Sequence, residues 1–244
     1  MNIRSAVIEG ANILKNSYIQ TAQLDTEILM AKVLCSNREY IILNNHKDLN
    51  DNNLEYFKRL IRERANRKPI AYLLNKKFFW DSEFYVNKNT LIPRPDTEVI
   101  IEEILRLTKH KNKLNILDIG VGSGCILLTI LKERKNFYGT GIDISKKSLD
   151  ISKINAKNLN VDERTKFYKS DIDKFAQGKY DMIISNPPYI KSCDLKYLER
   201  DVINFEPKLA LDGGLDGLSE IRKVINKSSE LIKKNGKFIL EIGF

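Results

Sequence analysis

Apolar positions in this chain keep a helical period up to about residue 75. Ile28, Leu29, Ala31, Val33 and Leu34 form a mixed apolar face, and Leu54, Phe57, Leu60 and Ile61 recur at helical spacing. Asp51 stands ahead of the second run as an N-cap. Pro69 opens a short helix, Ile70-Ala71-Tyr72-Leu73-Leu74, because its fixed φ suits a first turn. These stretches predict a small helical bundle. The period then shortens. Phe78-Phe79-Trp80 and Phe84-Tyr85-Val86 are aromatic β runs on either side of Asp81-Ser82-Glu83, a hairpin signal. Two prolines stiffen Leu91-Ile92-Pro93-Arg94-Pro95-Asp96-Thr97-Glu98, and Asp96 can cap an apolar-striped helix from about Thr97 to Thr108.

From Leu114 onward the two periods alternate. Strands are predicted over Leu114–Asp118, Phe137–Asp143, Lys166–Ser170 and Tyr180–Ser185, with helices over Cys125–Glu133 and Lys146–Asn158. A helix over Leu218–Lys234 precedes a last strand, Lys237–Ile242. Such alternation with short connections implies an α/β fold with a parallel, doubly wound sheet. No internal repeat or low-complexity segment interrupts it. The expected organisation is therefore a helical domain over 1–75, a β-hairpin linker over 76–95 and a larger α/β domain over 96–244.

Composition narrows the class without deciding it. The 244 residues are 42% hydrophobic and 30% charged, ordinary for a globular protein of one small and one medium domain. No run approaches the ~20 apolar residues that a bilayer span needs. Met1-Asn2-Ile3-Arg4-Ser5-Ala6 soon meets Glu9 and has no apolar signal core, so the expectation is a cytoplasmic protein with no membrane partner. Cys35, Cys125 and Cys193 are scattered and match no zinc spacing, which implies reduced thiols and no metal site. His46 and His110 read as solvated residues. The 41 Lys and Arg against 32 Asp and Glu give a net charge of +9, spread along helices, which fits a solvated surface as well as an acidic partner.

Chemistry concentrates at the predicted strand ends. Asp118-Ile119-Gly120-Val121-Gly122-Ser123-Gly124 joins a strand to a helix through a glycine-rich turn, where the backbone can pass close to a ligand. The dinucleotide fingerprint Gly-x-Gly-x-x-Gly would need glycine at position 125, which is Cys125. The next strand ends in Asp143, 19 residues after Gly124, placed to accept from ribose hydroxyls. A third strand end carries Asp171. One such acid can be a plain helix cap; three, counting Asp118, fit a ligand site better. The fourth strand runs into Asn186-Pro187-Pro188-Tyr189. The prolines stiffen this segment and hold Asn186 extended, so its acceptor and donors form a rigid clamp beside an aromatic ring. An ordinary strand-to-loop turn is the plainer reading of the same four residues.

The Asp-x-Gly-x-Gly-x-Gly turn resembles the first motif of class I S-adenosylmethionine-dependent methyltransferases. The resemblance implies a Rossmann-like sheet and S-adenosylmethionine as cofactor. It places Asp118, Gly120, Val121, Gly122, Ser123 and Gly124 against the methionine portion and ribose, with Asp171 and Ile172 flanking the adenine. Asn186-Pro187-Pro188-Tyr189 looks like the segment shared by enzymes that methylate planar amine or amide nitrogens. There Asn186 and Pro187 would accept the two N–H bonds and Tyr189 would stack on the planar group. Leu91–Glu98, Pro69–Leu73, Phe79-Trp80, Glu206-Pro207 and Ala210–Leu218 extend the likeness over essentially the whole chain, to the release factor glutamine methyltransferases.

That resemblance implies methyl transfer to the glutamine of the Gly-Gly-Gln loop of peptide chain release factors, docked by the helical domain, with Glu206 and Pro207 near the active-site mouth. No nucleic-acid substrate is expected. It also implies a further helix and two strands past Lys237–Phe244. Because the sequence stops at Phe244, the expectation is a C-terminally short sheet with an exposed edge. Two alternatives stand beside it: a nucleic-acid adenine-N6 or guanine-N2 methyltransferase, and a non-catalytic cofactor-binding protein. Oligomeric state is left open.

Overall fold

The structure, a computed structural model, describes residues 1–243. In chain order its first elements are α1 (Ile3–Asn16), α2 (Ala22–Val33), α3 (Arg38–Leu43), α4 (Asp51–Ala65), α5 (Ile70–Leu74), β1 (Lys76–Phe79) and β2 (Ser82–Tyr85). There follow α6 (Glu98–Leu107), β3 (Asn115–Ile119), α7 (Cys125–Glu133), β4 (Tyr138–Asp143), α8 (Lys146–Asn158), β5 (Thr165–Lys169) and β6 (Tyr180–Ser185). The last are α9 (Arg200–Phe205), α10 (Ser219–Leu231) and β7 (Ile232–Leu240). They form two compact units: Met1–Asn75 with Arg200–Phe205, and Lys76–Glu199 with Glu206–Phe244.

The first unit is helical. Ile3, Leu14, Leu29, Met30, Phe57 and Ile61 fill its core. The cap of α4 is Asn50 rather than the expected Asp51: the Asn50 side chain accepts from Asn53 N at 2.8 Å, which makes Asp51 the first helical residue. Arg64 on α4 is buried but doubly paired. Its Nε donates to Asp25 Oδ2 at 2.7 Å and its Nη1 to Asp201 Oδ2 at 2.6 Å. A buried guanidinium needs such partners.

The second unit opens with the β1–β2 hairpin. Its register pairs Phe79 with Ser82, so the turn is Trp80-Asp81 and not Asp81-Ser82-Glu83. Trp80 takes the left-handed conformation (φ +57°), and the tight turn lets Phe79 and Phe84 meet edge to face in the core. The five-stranded sheet has the order β5-β4-β3-β6-β7, every pair parallel. Its side chains alternate between faces, as strand geometry requires. Ile116, Met182 and Ile184 pack on one face in a core with Ile101, Ile104, Leu127 and Leu131. Leu117, Ile119 and Ile183 pack on the other with Val224 and Leu231 of α10.

Further boundaries differ from the sequence reading. Asp96 does not cap α6. It lies in a 3₁₀ turn, Pro95–Thr97, and no side chain caps the helix that follows. The last helix ends at Leu231, three residues before the expected Lys234, because Ile232 already pairs with Tyr180. The ladder then bulges through Asn235, whose φ is +65°, and regular pairing resumes at Lys237. The strand ends at Leu240, two residues before the expected Ile242, and Phe244 lies outside the described residues.

Candidate active site

The strand order reverses at β3, which has β4 on one side and β6 on the other. Ligands of open α/β sheets bind beyond the carboxyl ends of the strands at such a point. A cavity of about 470 Å³ lies there.

The turn from β3 to α7 forms one wall. Gly120 (φ +77°) and Gly122 (φ +56°) occupy the left-handed region, and a Cβ built on Gly120 would meet no atom within 4 Å. The turn is fixed from outside. Gly120 N and Val121 N both donate to Ile142 O, at 2.9 and 3.0 Å. From α8, Ser152 Oγ donates to Gly122 O at 2.7 Å and Asn155 Nδ2 to Ser123 O at 2.8 Å. Sequence reading missed this clamp. Its signal was present: Ser148, Ser152 and Asn155 recur at i, i+4 and i+7, a polar stripe on one helix face.

Asp118, Asp143 and Asp171 all border the cavity. Ser145 N donates to Asp143 Oδ1 at 2.8 Å and Gly122 N to Oδ2 at 3.0 Å. Each oxygen keeps a lone pair that can accept from a hydroxyl. Burial raises this carboxyl above its ordinary value. Asp118 is only 2% exposed. Burial pushes its carboxyl up to about 8, opposed by the Leu127 backbone N–H and assisted by the Asp143 charge. Asp171 also accepts from Asp173 N at 3.1 Å across the 3₁₀ turn Ile172–Lys174. Cys125 borders the cavity too, but burial pushes its thiol up to about 12, so it stays protonated.

The neighbouring wall is the segment after β6, whose Ser185 pairs with Ile119 of β3. Asn186, Pro187 and Pro188 line it, and Asn186 Nδ2 donates to Thr97 Oγ1 at 3.3 Å. Asn186 Oδ1 takes no hydrogen bond from the described residues. Glu206 is buried, accepting from Ile92 N at 3.1 Å and from Arg94 Nη2 at 2.6 Å. It thereby ties down the Leu91–Glu98 loop, while Pro207 and Arg94 stand on the wall.

Val121, Gly122, Ser123 and Ile172 also reach the cavity, and two expected residues do not. Gly124 caps α7 at φ +83°, and a Cβ there would lie 2.7 Å from Leu128 Cδ1; it serves helix packing. Tyr189, expected to stack on the substrate, packs against Gly243 instead and turns its polar end to Glu241.

Residues 96–215 match the family model "Methyltransferase small domain", and residues 5–74 match "PrmC N-terminal domain". A release factor glutamine methyltransferase of Clostridium acetobutylicum is 35% identical over 246 residues, covering 100% of this chain and 86% of that protein. Another from Clostridium botulinum is 36% identical over 247 residues, covering 100% and 87%. A third, from Caulobacter vibrioides, is 35% identical over 232 residues, covering 95% and 80%. By class the chain is an S-adenosylmethionine-dependent methyltransferase. Within that class it belongs to the release factor glutamine methyltransferase family.

Proposed function

We propose that this chain methylates the side-chain amide nitrogen of the glutamine in the Gly-Gly-Gln loop of peptide chain release factors. The observation that carries the reading is Asn186 on the cavity wall, its Nδ2 engaged by Thr97 and its Oδ1 unshared, on the strand next to the glycine turn. The turn fits S-adenosylmethionine: Gly120 opens onto space that a side chain would fill, and Asp143 has free lone pairs for ribose hydroxyls. Gly120, Val121, Gly122, Ser123 and Asp118 would border its methionine end, with Asp171 and Ile172 beside the adenine. When bound, the cofactor supplies an activated methyl group on a sulfonium that leaves as a neutral thioether.

A glutamine amide nitrogen is a poor nucleophile because its lone pair is delocalised into the carbonyl. Asn186 Oδ1 and the Pro187 carbonyl would accept its two N–H bonds and fix the nitrogen in line with the methyl carbon. Positioning of this kind can supply most of the rate. The amide N–H proton that the methyl group replaces would pass to water. Pro187 and Pro188 keep the clamp rigid. Residues 1–75 would dock the release factor, 76–95 would join the domains and 96–244 would carry catalysis. We place the activity in the cytoplasm, in keeping with three free cysteines. No helix among the described residues is long and apolar enough to cross a membrane.

The decisive assay supplies labelled S-adenosylmethionine with a release factor, the same factor changed at its loop glutamine, DNA and RNA. Label should reach only the unchanged factor. Asn186→Ala should cut turnover by about a hundredfold or more while cofactor affinity stays within about twofold. Label on DNA or RNA, with none on the factor, would overturn the reading.

A further inference from the structure

The direction of the Asn186–Thr97 hydrogen bond is decided from behind the cavity wall. A carboxamide beside a hydroxyl can sit in two orientations: the hydroxyl accepts from the NH₂, or it donates to the carbonyl oxygen. Only the first leaves Asn186 Oδ1 free for a substrate N–H. Thr97 is 2% exposed, so water does not arbitrate.

Glu241 does. It follows β7, and its backbone N–H donates to Ser185 O at 3.0 Å, which pins it beside the residue preceding Asn186. Its half-buried carboxylate faces the polar ends of Thr97, Asn186 and Tyr189, while Asp96 adds like charge nearby. Glu241 Oε2 is buried with no direct hydrogen bond among the described residues. Folded proteins keep few such atoms without a reason. An ionised carboxylate can only accept. With Thr97 Oγ1 accepting from Asn186 Nδ2, its own hydroxyl proton is free to turn towards that carboxylate. A flipped Asn186 would turn Oδ1 towards that carboxylate and meet repulsion.

We propose that Thr97 and Glu241 are positioning residues that lock the Asn186 amide with its oxygen towards the substrate nitrogen. They act so only if Asn186 holds the glutamine amide as set out above. The roles are unequal: Thr97 stands on the cavity wall, whereas Glu241 faces Thr97 and Asn186 without lining the cavity.

The test uses the full chain, with methyl transfer to a release factor for kinetics, calorimetry for S-adenosylmethionine affinity and a thermal melt for folding. Thr97→Val keeps the shape and removes the hydroxyl. It should lower kcat by about ten- to a hundredfold, with cofactor affinity and the KM for the factor within about twofold. Thr97→Ser restores the hydroxyl and should recover most of kcat. Glu241→Gln sets a donor where only acceptors stood, at equal volume, and should lower kcat by about tenfold. If Thr97→Val fails to fold, Glu241→Gln decides. Values of kcat within about twofold of wild type, no recovery with serine, or a parallel loss of cofactor affinity would overturn the assignment. A wild-type chain that binds the cofactor but leaves the factor unmethylated would instead overturn the function reading, and this one with it.

Discussion

Asp118, next to last in β3, has a carboxyl that is 2% exposed and pushed up to about 8 by burial. Its ordinary value in the unfolded chain is 3.8, so between about pH 4 and 8 the folded state holds a proton that the unfolded state has released. The linkage then has one sign: the stability owed to this proton is complete below the unfolded value and lost as pH rises through the folded one. Asp118→Asn is neutral throughout and escapes the loss. Urea midpoints of wild type and Asp118→Asn should therefore diverge in favour of the variant as pH rises from 5 to about 8. A constant gap over that range would show Asp118 to be solvated. At this scale, legibility followed position. That Asp118, Asp143 and Asn186 border the cavity was legible because a polar residue at a predicted strand end has few other duties. Thr97 and Glu241 were not, since their meaning depends on what stands behind Asn186, and neither residue type nor spacing encodes that.

The turn between β3 and α7 separates two kinds of glycine that look alike in the sequence. Gly120 and Gly124 both sit in the left-handed region, at φ +77° and +83°. Alanine at either position costs about 1–2 kcal/mol in backbone strain. Beyond that they part. A Cβ on Gly120 meets nothing within 4 Å, whereas one on Gly124 lies 2.7 Å from Leu128 Cδ1 at the start of α7. Gly124→Ala should lower the melting temperature more than Gly120→Ala, because overpacking adds about 1–3 kcal/mol. Gly120→Ala should weaken S-adenosylmethionine binding more. Equal losses in both measurements would mean that the turn behaves as one unit. The elements themselves were legible wherever local period decided them: α7, α8 and β6 have the boundaries that the apolar pattern predicts. The hairpin turn and the start of β7 were not. Each is set by pairing to a partner strand, Phe79 with Ser82 and Ile232 with Tyr180, and a partner leaves no periodic trace.

At the scale of the whole molecule, the helical unit is completed by a segment from far along the chain. Arg200–Phe205 belongs with Met1–Asn75, and Arg64 reaches Asp201 across 137 residues of sequence. No pattern within 1–75 announces that Arg64 needs a second carboxylate, so this closure was invisible before the fold was seen. Removing Asp201 leaves Arg64 with Asp25 and the Lys68 carbonyl, which accepts from Nη1 at 3.1 Å. A buried guanidinium that keeps part of its shell should make Asp201→Ala cost about 1–3 kcal/mol. The loss should register as faster hydrogen exchange in α2 and α4, which hold Asp25 and Arg64. Every residue lining the 470 Å³ cavity belongs to the other unit, so S-adenosylmethionine affinity should not move. On the proposal that the helical unit docks the release factor, its loosening should raise the KM for the factor and spare kcat at saturating factor. Cofactor affinity falling together with exchange protection would count against this division of labour. A factor KM unchanged despite faster exchange would remove the helical unit from recognition and leave it a purely structural part.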